Sequence, residues 1–537
     1  MKNLKKSILL SALSIGMVWT SKASAMDDKP LHTKAIDKSE ISSDANNWDK
    51  LFESTMSQLA KSPSGSVVSF DDNMIKTFQF KPALGAPDNT DQKSNSAIRM
   101  GDGGRNRRMV EQLLNRPKMS PDEEKQRNDD FKNTVANAVL QHPELLSRIQ
   151  QTGQVEQSVD VVKGGLYPQV DLTLSGASAL SKPNIKYQSS NDDRLDLVLR
   201  VRQILFDFGA LFGQIDAQKF RVLAAEQETK TTGDTLILRA VTAYQDVIRL
   251  RNHVAIAQEN VAQHKNIVQA VIERVTGGVA SLSDKAKVES TLANAEVRLA
   301  SFMSDLGRVE ASFIELFDKK PDSNLLFPTI HPEMPPVEQA LNQAVANNSV
   351  LHGFAQMSQV YDAEKKVASL NILPKVYLEL SGTRYDVENF TADRANGVSV
   401  RLISSYNLYS GGSDMARISQ AERRSAQAQE DFDKYKRDLE RNVRVLISDY
   451  EARVIKLKSQ EMSLRANDLV VQAFAEQYDA GRRSLIDLLD AQSDLFASAI
   501  DLSESQFQLN VLRYELCSVI GDLANFFAIP VNAYQPK

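Results

Sequence analysis

The stretch Gly278-Val-Ala-Ser-Leu-Ser-Asp284 returns 203 residues later as Gly481-Arg-Arg-Ser-Leu-Ile-Asp487. Glycine often ends a helix in the left-handed conformation and serine often begins one, so the shared pattern predicts a tight turn between two helices. A second landmark has the same spacing, because Leu205-Phe-Asp-Phe-Gly209 is matched by Leu408-Tyr-Ser-Gly-Gly412. Two matched landmarks at one spacing predict that the chain contains an internal duplication.

The tracts that lead into these turns are too long for the helices of a globular domain. Proline is absent from Gly209 to about Thr276 and from Gly412 to about Asp479. About 67 residues at 1.5 Å each make a helix of about 100 Å. The turns at Gly278 and Gly481 would fold each long helix back on itself. Steps of three and four after the second turn predict a coiled-coil seam, along Leu485, Leu488, Gln492, Leu495, Ala499 and Leu502.

Four other segments alternate between apolar and polar residues with period two, as strands do. Each is about ten residues long, which is the length of a tilted strand that crosses a bilayer. They are joined in pairs by polar loops at 181–193 and 385–396. One interpretation is two exposed hairpins whose apolar faces pack on helices, and the other places those faces in lipid. The apolar faces are Val170, Leu172 and Leu174; Leu195, Leu197, Leu199 and Val201; Val376, Leu378 and Leu380; and Val398, Val400 and Leu402.

The ends of the chain and its middle complete the predicted organisation. A basic start, an apolar stretch and Ala23-Ser24-Ala25 predict a signal peptide, and since no cysteine follows it we expect no lipid attachment. Five prolines between 321 and 336 predict a break between the halves. The predicted segments are 1–25, signal peptide; 26–130, a polar and largely disordered extension; 131–320, the first repeat; 321–336, the linker; 337–530, the second repeat; and 531–537, a tail.

Composition excludes several classes of function. The 537 residues carry 64 Lys and Arg against 69 Asp and Glu, and a net charge of −5 argues against nucleic-acid binding. The single cysteine, Cys517, excludes an intrachain disulfide and is expected to pack as a small apolar side chain. The six histidines lack metal-binding spacing, and we find no phosphate-binding loop. The sequence therefore predicts neither an enzyme nor a cofactor, and any energy for transport would come from a partner.

These features together resemble the TolC family of outer-membrane channel proteins over about 131–530. The most specific motifs are Tyr478-Asp-Ala-Gly-Arg-Arg-Ser-Leu-Ile-Asp-Leu-Leu-Asp490-Ala-Gln and Tyr406-Asn-Leu-Tyr-Ser-Gly-Gly412. The resemblance implies a mainly α fold, an α-barrel of long antiparallel helical hairpins, and four strands per chain that complete a trimeric twelve-stranded membrane β-barrel. It implies a passive homotrimeric exit duct in the bacterial outer membrane, with its tunnel in the periplasm.

The same resemblance implies partners and a class of cargo. A periplasmic adaptor would open the duct, and an inner-membrane transporter such as an ABC exporter would energise export of secreted protein or small molecules. The entry motif His142-Pro143-Glu144-Leu145 and the expected lack of a lipid anchor are similar to members that serve type I protein secretion.

The resemblance also implies roles at the turns. Asp284, Tyr478 and Arg483 match the positions that latch the closed entrance, and an arginine fork suits a carboxylate acceptor. Asp487 and Asp490 match the acidic entrance of the family.

Since these two aspartates lie three residues apart, they share a helix face, and three chains would form two rings that favour cations. Gly278 and Gly481 mark the hairpin tips that would contact the adaptor. Here Gly277 and Ala480 replace the valine that commonly precedes the turn glycine in the family.

An alternative from another functional class remains open at the level of sequence. A periplasmic coiled-coil adaptor or structural rod would also need long helical hairpins. The four alternating segments discriminate between the two, because a rod has no need for strands with one lipid-like face and one charged face.

Overall fold

The computed structural model describes residues 103–114, 120–178, 193–323, 325–387 and 396–535, all within the unit Asn89–Lys537. The predicted signal peptide, residues 26–102 of the extension and most of both strand-connecting loops lie outside the described residues. Within them the chain is mainly helical, with one small antiparallel sheet. None of the described helices combines the length and apolar character that a membrane crossing requires.

The two halves share the order of two helices, two strands, a long helix and a shorter returning helix. The first contains α1 (Gly103–Leu114), α2 (Pro121–Gln141), α3 (Pro143–Lys163), a 3₁₀ turn (Gly164–Leu166), β1 (Gln169–Ser178), β2 (Asp193–Phe206), α4 (Ala210–Thr276) and α5 (Leu282–Phe317). The second contains α6 (Val337–Asn347), α7 (Ser349–Leu370), β3 (Lys375–Val387), β4 (Asn396–Ser405), α8 (Ser413–Asp479), α9 (Leu485–Ile520), α10 (Leu523–Phe526) and a 3₁₀ turn (Val531–Tyr534).

The long helices match one another in length. Both α4 and α8 have 67 residues, and both α5 and α9 have 36. Helix α4 packs on α5 and on α9, and α9 packs on α8. The four helices therefore run in the order α5, α4, α9, α8, with α5 and α8 at the two ends of the row.

The prediction of disorder over 26–130 is wrong for its last part, because 103–114 and 121–130 are helical. Ser120 begins α2 with a capping box, in which its hydroxyl accepts from the Glu123 N–H and the Glu123 carboxylate accepts from the Ser120 N–H. Val110 and Phe131 anchor the two helices in buried clusters. The polar composition hides this because few apolar residues carry the packing.

The sheet has the order β1-β2-β3-β4, and the β2–β3 pair joins the two halves of the chain. One face is apolar and open: Val170, Leu172 and Leu174 are 63–67% exposed. The register aligns polar residues on the other face, where Gln169 lies opposite Arg202, Arg202 opposite Glu379, and Glu379 opposite Arg401. The two unlike faces that the alternation predicts are thus present.

An aromatic core joins the N-terminal, middle and C-terminal parts of the chain. Phe131, Tyr244, Tyr514 and Phe527 pack edge to face or tilted, between α2, α4, α9 and the segment after α10. Cys517 is buried beside them, and burial raises the pKa of its thiol to about 12.

Between α5 and α6 the described residues form no helix or strand, in keeping with their prolines.

Candidate functional site at the hairpin turns

The two hairpin turns have the same backbone geometry. Gly278 has φ +74° and Gly481 has φ +70°, a left-handed conformation that glycine adopts without steric cost. In the first turn the Gly278 N–H donates to the Val275 carbonyl at 3.0 Å, and the Val279 N–H donates to the Arg274 carbonyl at 2.8 Å. The second turn repeats both bonds. This is the Schellman motif, and it favours glycine at each tip.

A serine N-cap starts the returning helix after each turn. The Ser281 hydroxyl accepts from the Asp284 N–H at 3.1 Å, and the Asp284 carboxylate accepts from the Ser281 N–H at 3.1 Å. In the second turn the Ser484 hydroxyl accepts from the Asp487 N–H at 3.2 Å. Asp284 therefore completes a capping box, whereas the Asp487 carboxylate faces Arg483 at 3.7 Å. The spacing that appeared in the sequence as a repeated motif is thus a pair of helix caps.

A small apolar core joins the two hairpins just behind their tips. It contains Ile267 and Val271 from α4, Val288 from α5, and Leu485, Leu488 and Leu489 from α9. Tyr478, at the end of α8, belongs to this core and is only 8% exposed. Its ring is therefore part of the packing between hairpins as well as a neighbour of the turn.

Arg274 connects the first hairpin to the second. Its guanidinium donates to the Asp479 carboxylate at 3.0 Å and lies 4.4 Å from the centroid of the Tyr478 ring. Both charged side chains are about 30% exposed. One arginine on α4 thus holds the last turn of α8 by an ion pair and a cation–π contact.

The predicted latch residues do not all meet within one chain. Arg483 lies 3.9 Å from the Phe474 ring centroid and faces Asp487, which are both on its own hairpin. Among the described residues no ion pair joins Asp284 to Arg483. Asp490 is exposed on the first turns of α9. Within the chain, the ion pair that joins the hairpins at their tips is instead that of Arg274 with Asp479.

Sequence reasoning missed Arg274 and Asp479. Position 274 corresponds to Gln477 in the second half, so the repeated pattern does not mark it. The available signal was the type of charge at two helix ends. Arg274 lies in the last turn of α4, where the helix dipole favours a cation, and Asp479 lies in the last turn of α8, where the dipole disfavours an anion. Only the fold brings this pair together.

Two buried histidines lie farther along α4. His253 is 3% exposed, packs edge-on against Phe302 of α5, and lies near the ion pair between Arg249 and Glu504. Burial, and then the Arg249 charge, lower its pKa to about 4 against the opposing effect of Glu504. Burial also lowers the pKa of His264. Both side chains are therefore neutral where the helices pack.

Comparison with known proteins gives consistent matches over most of the chain. The family model described as outer membrane efflux protein matches residues 99–313 and 340–522. The chain is 24% identical over 393 residues to the outer membrane efflux protein BepC of Brucella suis, covering 71% of this chain and 83% of BepC.

It is also 22% identical over 319 residues to the alkaline protease secretion protein AprF of Pseudomonas aeruginosa, covering 58% of this chain and 66% of AprF. Among solved structures, CusC aligns with a TM-score of 0.66 at 16% identity, covering 73% of this chain and 92% of CusC.

Proposed function

Because this chain belongs to the outer membrane efflux protein family, we propose that three copies of it form a passive duct through the bacterial outer membrane, with the helical hairpins in the periplasm. The chain is an outer-membrane exit duct, and this function accounts for a fold of long hairpins on a small sheet. BepC is named as an efflux protein and AprF as a protease secretion protein. The cargo is therefore secreted protein or small molecules.

The observation that supports assembly into a trimer is that the two outer helices of the row, α5 and α8, each leave one face exposed. Each face has an exposed seam with alternating steps of three and four residues, the spacing of a coiled coil. The α5 seam is Ala286, Ser290, Ala293, Val297, Ala300, Ser304, Gly307, Ala311 and Ile314. The α8 seam is Val445, Ser448, Ala452, Ile455, Ser459, Met462, Ala466, Leu469 and Ala473.

The two seams complement one another. The α5 seam consists mostly of small residues, whereas the α8 seam alternates large and small ones, and Ile455, Met462 and Leu469 are 58–69% exposed. Large side chains of one helix can enter the gaps beside small side chains of the other. Because the two seams differ, they support a head-to-tail contact between copies, and such contacts form a ring where the rotation between copies closes.

The sheet supports three copies in particular. Its outer strands β1 and β4 have open edges in one chain, and an open edge cannot lie in lipid. Eight strands make a barrel that side chains fill, so one or two copies would leave no aqueous channel. Three copies supply twelve strands, with the apolar face towards lipid and the row containing Arg202, Glu379 and Arg401 towards the lumen.

The equal helix lengths support the internal duplication. The starts and ends of α4 and α5 correspond to those of α8 and α9 at the 203-residue spacing of the sequence landmarks. The two strand pairs and both serine-capped turns have the same order in each half. A duplicated gene segment explains these correspondences with one event.

An exit duct of this kind needs two partners. A periplasmic adaptor contacts the hairpin tips at Gly278 and Gly481, and an inner-membrane transporter such as an ABC exporter supplies the energy. The exposed apolar side chains Val279, Leu282 and Ile486 beside the turns are 55–81% exposed and give the adaptor a surface to pack on. The periplasmic rod or adaptor alternative is not favoured, because the family is one of outer-membrane proteins.

The entrance lies at the same tips. Asp284, Tyr478 and Arg483 form the constriction, with Arg483 free to reach a carboxylate of a neighbouring chain because its pair with Asp487 is long and exposed. Asp487 and Asp490, repeated in three chains, form two acidic rings that favour cations. Arg274 holds the second hairpin of each chain in the closed position.

A charge placed in the α8 seam tests the assembly. Met462→Asp should prevent the ring from forming, because a carboxylate would be buried between α8 and α5 of the next copy. We expect the wild type in detergent to have three chain masses by native mass spectrometry, and to conduct ions across a planar bilayer in small cation-selective steps. The variant should have one chain mass and no conductance.

Ser463→Asp is the matched control, since Ser463 is exposed on the same turn but lies beside the seam. It should leave both the mass and the conductance unchanged. A Met462→Asp variant that keeps three chain masses would show that the seam is not the contact between copies. A wild type that stays soluble and never inserts would overturn the duct itself.

A further inference from the structure

Helix α1 lies across both helical hairpins. It contacts α4 of the first hairpin and α8 and α9 of the second. Val110 is 4% exposed, and Met109, Leu113 and Leu114 pack half-buried on the same cluster. The Gln506 side-chain amide donates to the Leu113 carbonyl at 3.4 Å. The packing of α1 therefore depends on the positions of both hairpins.

The surface beneath α1 is a single apolar cluster built from three helices. Ile256 comes from α4, Leu464 from α8, and Leu495 and Leu502 from α9. A helix that fills a groove between packed helices through residues spaced three and four apart is a common mode of recognition. Here the helix and its groove belong to the same chain. Movement of one hairpin relative to the other would break contacts on one side of α1.

The position of α1 along the hairpins separates it from the turns. Leu464 lies about 22 Å before the end of α8, and Gln506 lies about 32 Å beyond the start of α9, at 1.5 Å per residue. The contact between Arg274 and Asp479 is at the tips. Helix α1 thus bridges the hairpins at a separate level, part of the way from the turns towards the aromatic core.

Helix α1 is suited to reversible docking. It has 12 residues, and an isolated helix of that length is marginal in water, so its helical state depends on the groove. One buried side chain and three half-buried ones form a small contact. Elements with few buried contacts open locally, well before the protein unfolds globally.

We propose that α1 is an intramolecular clamp that holds the first and second hairpins together, and that its release precedes opening of the entrance. The docking of α1 stands on the packing alone, whereas its effect on opening rests on the proposed duct. This clamp gives α1, which belongs to the N-terminal extension, a role that the proposed duct does not by itself require.

Thiol labelling tests the docking. A Val110→Cys variant should react with a maleimide in the assembled protein at least tenfold more slowly than a Gln112→Cys variant, because Gln112 is exposed on the same helix. Cys517 gives little background, since it is buried and its pKa is raised to about 12. Both variants should react at one rate in denaturant. Equal rates in the assembled protein would overturn the proposal.

Conductance across a planar bilayer tests the effect on opening. Val110→Asp should raise the open fraction at least tenfold, and Gln112→Asp should leave it at the wild-type value. Where Val110→Asp fails to assemble, the Leu113→Ala, Leu114→Ala double variant replaces it, because both side chains are only half-buried. An assembled, undocked variant with unchanged conductance would overturn the clamp. A wild type without conductance would refute the duct, whereas the labelling ratio would still decide whether α1 docks.

Discussion

Removal of the Arg274 guanidinium should open the entrance. Arg274→Gln keeps most of the side chain but removes the ion pair with Asp479 and the cation–π contact with Tyr478. Both charges are about 30% exposed, so the ion pair is worth about 0.5–1 kcal/mol. The contact with the ring adds about 0.5–1 kcal/mol. The closed state of each chain should therefore lose about 1–2 kcal/mol.

That loss has a measurable consequence for gating. About 1–2 kcal/mol changes an equilibrium about 5- to 30-fold. If three chains open together, independent losses add, and the ratio of open to closed channels should rise about 10²- to 10⁴-fold. Single-channel recording across a planar bilayer measures this ratio directly. Trypsin accessibility of the hairpin tips in the assembled protein offers a second measure of the same change.

A double-mutant cycle separates the ion pair from other effects of the substitution. Asp479→Asn should also raise the open fraction, and in the Arg274→Gln background it should add little, with a coupling of about 0.5–1 kcal/mol per chain. Arg308→Gln is the matched control, because Arg308 pairs with Asp305 on its own helix and is 75% exposed. It should leave gating unchanged.

Two results would refute this reasoning. If Arg274→Gln has an open fraction within twofold of the wild type, the connection between hairpins does not hold the entrance closed. If the two substitutions add in full, the ion pair contributes nothing, and the effect of Arg274 comes from the tyrosine ring alone.

Three further predictions concern other parts of the hairpins. His253 has a pKa of about 4 in the folded protein and an ordinary value of 6.5, so the stability gained from the neutral imidazole is complete above pH 6.5 and is lost as the pH falls. From pH 7 to 5 the free energy of unfolding should therefore fall by about 2 kcal/mol more in the wild type than in His253→Leu. Denaturant titrations that show the same pH dependence for both proteins would contradict this. Asp487→Asn with Asp490→Asn should move the reversal potential in a salt gradient towards zero, and an unaltered potential would remove both residues from the pore. Gly481→Ala should cost about 1–2 kcal/mol because of its positive φ, whereas Gly277→Ala, at φ −77°, should not change the thermal midpoint.

The parts of the fold that could be predicted from the sequence depend on local properties. The long helices end where predicted because glycine at 278 and 481 adopts the left-handed conformation and serine at 281 and 484 caps the next helix. The strands were predictable because period-two alternation determines which face each side chain occupies. In each case the signal lies within a few neighbouring residues.

The contacts between the hairpins could not be predicted in this way. Arg274 meets Asp479 across 205 residues of chain, and Leu113 meets Gln506 across 393. A spacing pattern along the sequence carries no information about such pairs. Composition misled the interpretation of 103–130 for a related reason, since Val110 and its apolar neighbours Leu113 and Leu114 pack on Ile256, Leu464 and Leu495, which are distant in the sequence.

Side chains at equivalent positions, 203 residues apart in the two halves, explain why two hairpins of equal length make different contacts. Arg274 corresponds to Gln477, so the ion pair between the tips takes its cation from the first hairpin and its carboxylate from the second. Asp284 is satisfied within its capping box, whereas the corresponding Asp487 bonds through its backbone N–H alone and leaves its carboxylate to Arg483. Backbone geometry is the same in both turns, because glycine and serine are kept. The two hairpins therefore differ in single side chains on the same backbone geometry. We expect exchange of Arg274 and Gln477 to alter gating without altering the fold.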